Sequence, residues 1–111
     1  MPLHYDMNDL LDGMMTAARK TLNASWMEVK PFAELEFRHF TESLALISAL
    51  KDEGRITEEQ ARLHMDIQRD ASLSVLLAIR AMGKVAAENA INAAISVIRA
   101  PVNKALGWAL L

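Results

Sequence analysis

Apolar residues return every three to four positions along most of this chain, the period of an α-helix with one buried side. The longest such pattern follows Thr57. Val75, Ile79, Met82, Ala86, Ala90, Ala93 and Val97 fall on one stripe, which repeats every eleven residues. A period of roughly 3.67 residues per turn favours a straight or slightly right-handed helix pairing over a left-handed heptad coiled coil. Arg80, Lys84, Glu88, Asn92 and Ser96, at steps of four, make the opposite, polar side. In the preceding segment Phe32, Phe40, Leu46, Ile47 and Leu50 define the apolar side, and Glu36, His39 and Ser43 fall inside its arc. Earlier still, Met7, Met14, Met15 and Met27 cluster with Leu10, Leu11 and Trp26. Such a Met-rich surface serves either as core or as an adaptable binding groove.

Glycine and proline set the ends of these patterns. Gly54 suits the left-handed position that closes a helix, and Thr57-Glu58-Glu59-Gln60 has the spacing of a capping box that opens the next. Together they predict a short turn around Gly54–Ile56 joining two antiparallel helices. Asp6 is a candidate N-cap for an earlier helix over roughly 7–23, and Ser25-x-x-Glu28 is a second capping-box pattern, which would start the next helix at 26 and leave Pro31 as a kink inside it. The predicted helices run over about 7–29, 31–53 and 58–100, with Pro31 and Pro101 as a kink and a stop and Gly83 as a possible bend. The first two match the third in length when nearly collinear. The expected product is one all-α domain over residues 1–111, a long antiparallel hairpin with residues 1–6 and 101–111 as tails. The alternative is a compact three-helix bundle with the first helix folded back.

Alanine changes this picture. Ala86, Ala87, Ala90, Ala93 and Ala94 crowd the last stripe. Small side chains let helices approach closely, but each buries little area at about 25 cal/mol per Å². A lone hairpin supplies one neighbour; two hairpins supply a four-helix bundle. The expectation is therefore a helical bundle formed by homo-oligomerisation, most simply a C₂ dimer. Its interface is predicted at Val75, Ile79, Met82, Ala86, Ala90, Ala93 and Val97. The apolar end Trp108-Ala109-Leu110-Leu111 would dock as well, through Trp108.

The 111 residues include no Cys, which excludes a disulfide scaffold, and only four Gly and three Pro, too few for a sandwich, a barrel or a disordered chain. The net charge of −2 is unevenly spread. Residues 1–70 carry thirteen Asp/Glu against eight Lys/Arg, whereas 71–111 carry Arg80, Lys84, Arg99 and Lys104 against Glu88 alone. No helix has the dense basic stripe of a nucleic-acid surface. No apolar run approaches the about 20 residues of a membrane span. The acidic start, with Asp6, Asp9 and Asp12, does not resemble a signal peptide, so a cytoplasmic protein is expected.

Chemistry-bearing groupings are sparse. There is no G-x-S-x-G, no phosphate-cradling glycine loop and no H-E-x-x-H. Glu36-x-x-His39 puts a carboxylate and an imidazole one turn apart on one helical side. The spacing resembles the pair that ferritin-like di-metal proteins carry on two helices. Such a resemblance implies a divalent metal, iron or manganese, with the motif duplicated in a dimer. Counting across the turn, Asp70 falls one turn from His39 and would add a carboxylate. His64 is expected at the surface and His4 in the terminus. Three readings follow: a non-enzymatic assembly or protein-interaction module, a small ferritin-like metal binder, and a membrane-surface helical protein suggested by the basic, apolar C-terminal part.

Overall fold

The turn most clearly written in the sequence forms as expected. The Thr57 hydroxyl accepts from the Gln60 backbone N–H at 3.1 Å, and the Gln60 side chain accepts from the Thr57 N–H at 3.0 Å. Gly54 just upstream has φ of 66°, the left-handed region where a Cβ is strained. Asp6 caps the first helix through a 2.7 Å bond from the Asn8 N–H. Each bond satisfies a backbone donor that a helix start would otherwise leave unpaired.

A computed structural model describes residues 6–80 and 82–111. Among these the chain is all-α: α1 spans Met7–Leu22, α2 Trp26–Asp52, α3 Glu58–Leu77 and α4 Lys84–Leu106. A single 3-10 turn, Asn23–Ser25, joins α1 to α2. The helices pack in a ring, each against the next and α4 against α1. Short connections and paired side chains, Ser43 with Gln68 and Glu36 with Ser72, run α2 and α3 antiparallel. One core fills the middle, built from Met14, Ala18, Val29, Phe37, Phe40, Leu44, Ile47, Leu76, Ile91 and Val102, each at most 2% exposed. His4 lies outside the described residues.

The helical bundle expected from the sequence is present, but one chain makes four helices where a hairpin of collinear arms was expected. Both arms break near their middles. The segment expected as 58–100 stops at Leu77, where Ala78 and Ile79 close tight backbone turns, and α4 restarts after Gly83. The break lies at Asn23–Ser25, so the second helix starts at Trp26, where the Ser25-x-x-Glu28 pattern puts it as the alternative to a start at Pro31; Asn23 takes φ of 51°, a conformation asparagine tolerates better than most residues. The Ser25 side chain makes no capping bond, and Pro31 sits inside α2. Pro101 likewise sits inside α4, which continues to Leu106. The expected tail therefore begins only at Gly107.

Burial decides for the breaks. A straight 58–100 helix would reach roughly 64 Å at 1.5 Å per residue, whereas the molecule measures 43 × 23 × 19 Å. Ending a helix leaves a few backbone hydrogen bonds unmade, at about 1 kcal/mol net each. In return α4 buries Ala87, Ala90, Ile91, Ala94, Ile95, Ile98, Val102 and Leu106. Its three isoleucines alone contribute about 1.5–3 kcal/mol each. Ala87, Ala90 and Ala94, three of the five alanines that suggested inter-chain packing, thus pack within the chain, and the Cβ position at Gly13 on α1 lies 3.7 Å from Val97 on α4.

Candidate functional site: the groove between the second and third helices

Helix α3 is the least buried of the four. Of its twenty residues only Ala61, Met65, Ser72 and Leu76 are buried. Its outward side carries Leu63 and Ile67, 61% and 60% exposed. The facing edge of α2 carries Phe32, Leu35 and Leu46, at 46%, 51% and 53%. Phe32 and Leu46 were expected to face the core, because a wheel shows only which residues share a side. The neighbours decide where the buried arc ends, and here it is centred on Val29, Ala33, Phe37, Phe40 and Leu44.

The α2–α3 seam opens outward as two shallow depressions. The first, about 350 Å³, is lined by Phe32 from α2 and by Val75, Ala78, Ile79 and Arg80. The second, about 310 Å³, is lined by His39, Glu42, Ser43, Leu46 and Gln68. Phe32 and Leu46 are fourteen residues apart, roughly 21 Å along α2, with His39 midway. The seam is therefore apolar at both ends and polar in the middle. A separate α1–α2 depression of about 350 Å³ sets Asp12 and Glu34 against Arg19 and Lys30. Its two acidic and two basic side chains leave it without net charge.

Under the polar middle lies Glu36, whose carboxylate is buried at the α2–α3 contact. It accepts a 3.4 Å bond from the Ser72 hydroxyl, and its other oxygen is 4.0 Å from His39 Nδ1. Glu36, His39 and Ser43 follow one another along α2 as acid, imidazole and hydroxyl. They do not form a proton relay: 4.0 Å is beyond a hydrogen bond, and the Ser43 hydroxyl is directed to Gln68 Oε1 at 3.5 Å. Asp70 is turned away, with its side chain 76% exposed and 3.8 Å from Arg69. Among the described residues no three His, Cys, Asp or Glu side chains are placed around one metal ion. His64 is exposed, as expected.

The stripe expected to form the oligomer interface is divided. Val75 and Ile79 line the Phe32 depression. Met82 is half-buried in the α3–α4 connection, Ala90 is fully buried and Ala93 half-buried. Ala86 and Val97 are exposed on α4. Trp108 lies at the far end of the bundle with its ring 5.0 Å from the Lys51 ammonium. The methionines divide too: Met14 is core, whereas Met27 is 80% exposed.

The sequence reading missed the structure around Asn103. Gly107 ends α4 in the left-handed conformation, and residues 108–111 fold back against the bundle. Asn103 Oδ1 accepts from the backbone N–H groups of Leu110 and Leu111 at 3.0 and 2.9 Å. The Lys51 ammonium donates to the Leu106 carbonyl. A glycine directly before Trp108 was the available signal, overridden by reading Pro101 as the stop. Among the described residues no helix is long and apolar enough to cross a membrane. Comparison with protein-family models, curated proteins and solved structures returns no match to this chain.

Proposed function

We propose that this chain is a non-enzymatic helical assembly module that pairs with a second copy through the outer side of α2 and α3. The observation that supports it most is the row of half-exposed large apolar side chains there, Phe32, Leu35, Leu46, Leu63 and Ile67. At roughly 100 Å² each they present on the order of 500 Å², as large as the largest apolar patch of an ordinary monomer. That is most of the about 800 Å² per partner in a standard interface. The row is also self-complementary. A two-fold axis near His39 would lay the Leu46–Leu63 ridge of one copy on the Phe32–Ile79 depression of the other, an isologous contact.

Sedimentation velocity at tens of micromolar tests the reading. Phe32→Glu removes about 2.5 kcal/mol of apolar burial per copy, twice over by symmetry, so the dimer should weaken more than about a thousandfold. Val97→Glu, on the exposed side of α4, should leave it unchanged. A wild-type chain that stays monomeric, or a Phe32→Glu chain that pairs like wild type, removes the proposal.

The same axis favours a second reading. It would bring two Glu36–His39 pairs together, and Glu36 is buried with only the long 3.4 and 4.0 Å contacts. Iron or manganese held by both pairs is then the ligand. Metal analysis of dimer purified without chelator checks it, with Glu36→Gln expected to abolish any bound metal. A membrane-surface role fits less well. It rests on the basic, apolar C-terminal part, where Val102, Leu106 and Leu110 are buried in the chain's own core and leave little apolar surface to enter a lipid boundary.

A further inference from the structure

We propose that this chain exchanges α4 with a second copy of itself. Residues 78–83 straighten, α3 and α4 become one helix, and residues 84–111 seat against α1 of the second copy, which returns its own. The exchange is separate from the outer α2–α3 surface and does not depend on pairing there. Its occupant is the same sequence that fills the seat in the single chain, so the fit is already given. Helices α3 and α4 run antiparallel about their connection: Arg69 Nη2 donates to Asn92 Oδ1 at 2.7 Å, and Met65 and Asp66 line one cavity with Ile95 and Arg99. Straightening therefore carries α4 off the end of its own bundle, along the axis of α3. A second copy meeting the first at that end receives it. The buried side of α4, the Asn103 bonds to Leu110 and Leu111, and the Lys51 bond to Leu106 are all remade between chains. Two single chains and one exchanged pair then differ only at residues 78–83.

The second observation is that the bend is weakly held. Ala78-Ile79-Arg80-Ala81-Met82-Gly83 contains five residues a helix accepts and one glycine. Ala78, which closes α3, is still helical at φ −76° and ψ −12°. Beyond it the backbone only tightens, with Ile79 N–H donating to the Leu76 carbonyl and Met82 N–H to the Ile79 carbonyl, both at 3.1 Å. Gly83, which opens α4, has no side chain to accept from the first turn. The last turn of α3 has no basic residue and the first turn of α4 no acidic one, so neither end is matched to the helix dipole. One continuous helix pairs the N–H and C=O groups that these two ends leave over. It spans residues 58–106, roughly 73 Å, against 43 Å for the longest dimension of the single chain. The exchanged pair is accordingly elongated.

Disulfide trapping tests the exchange, since the chain has no cysteine of its own. A Cβ at Gly13 on α1 lies 3.7 Å from Val97 on α4, within disulfide reach. Gly13→Cys and Val97→Cys are placed in separate full chains of different mass. Both carry Phe32→Glu, so pairing through the outer α2–α3 surface does not contribute. The two are refolded together from guanidinium at millimolar concentration and then oxidised. A heterodimer linked between positions 13 and 97 is expected, elongated in sedimentation, and far less of it when the chains are folded apart and mixed afterwards. Gly83→Ala favours the continuous helix about fivefold per chain, so the exchanged pair should form about thirtyfold more tightly. Gly83→Pro suits the observed φ of −78° but breaks a continuous helix, and should weaken the pair more than about a thousandfold. Where circular dichroism shows that Gly83→Pro loses the fold, two glycines inserted after Gly83 serve instead, and should likewise weaken the pair. The proposal is overturned if chains refolded together give no link between positions 13 and 97, if mixing after folding gives as much, or if the variants that oppose a continuous helix leave its yield unchanged.

Discussion

Replacing Asn103 by alanine tests what holds residues 107–111 against the bundle. The substitution deletes the acceptor of two well-formed bonds, from Leu110 at 3.0 Å and Leu111 at 2.9 Å. Each is worth about 1 kcal/mol net. The third bond, at 3.4 Å, adds little. Against these gains stands the ordering of five residues, about 1 kcal/mol or more apiece. Burial of Leu110 returns about 2 kcal/mol, so docking is close to balanced and losing two bonds frees the segment. Because the segment then leaves rather than staying docked without its bonds, the cost is limited to the small net docking free energy, under about 1 kcal/mol, which at about 4 °C per kcal/mol lowers Tm by less than about 4 °C. Scanning calorimetry reads the shift, and hydrogen exchange at the Leu110 and Leu111 amides reads its cause. Asn103→Asp keeps an acceptor oxygen in that place, losing only the long Nδ2 bond, and should retain most of the stability and both protected amides. If Asn103→Ala leaves these amides protected, the clasp is not what docks the segment.

Two further outcomes follow from the core and the break between α3 and α4. Met14 is fully buried, so Met14→Ala should cost about 2–5 kcal/mol in chemical denaturation through lost transfer and the cavity left behind; a loss under about 1 kcal/mol would mean that the α1–α4 contact collapses around it. Gly83 caps α4 without a side-chain bond, and a Cβ there meets nothing within 4 Å. Gly83→Asp should therefore raise stability by a few tenths to about 1 kcal/mol, by capping α4 and by opposing its dipole. A destabilised variant would show that the Gly83 backbone is held for another reason.

The candidate groove was half-visible in the sequence. Glu36, His39 and Ser43 do share one side of α2, because helical periodicity alone puts them there. That Glu36 is buried while His39 is half-exposed depends on where α3 lies across them, and Ser72 and Gln68 reach α2 only through that packing. Counting residues across the turn puts Asp70 one turn from His39. Counting gives the height along the seam but not the side of α3 on which the residue stands, and Asp70 stands on the outer one.

What the sequence by itself determined is local. The Thr57–Gln60 box, the Asp6 cap and the left-handed Gly54 depend on residues within a few positions of one another, and each formed as its spacing required. Tertiary structure alone decided where the long helical patterns end. Residues 58–100 have helical periodicity throughout, and residues 78–83 are weakly punctuated, so nothing local stops the helix there. The stop comes from the isoleucines and alanines of α4, which reach a core only by folding back on α1. Likewise neither Pro31 nor Pro101 ended its helix, because packing on both sides outweighed one missing hydrogen bond in each. Short-range hydrogen bonds can be read residue by residue, whereas burial depends on partners far away in the chain, and here burial turned the two arms of an expected hairpin into four helices.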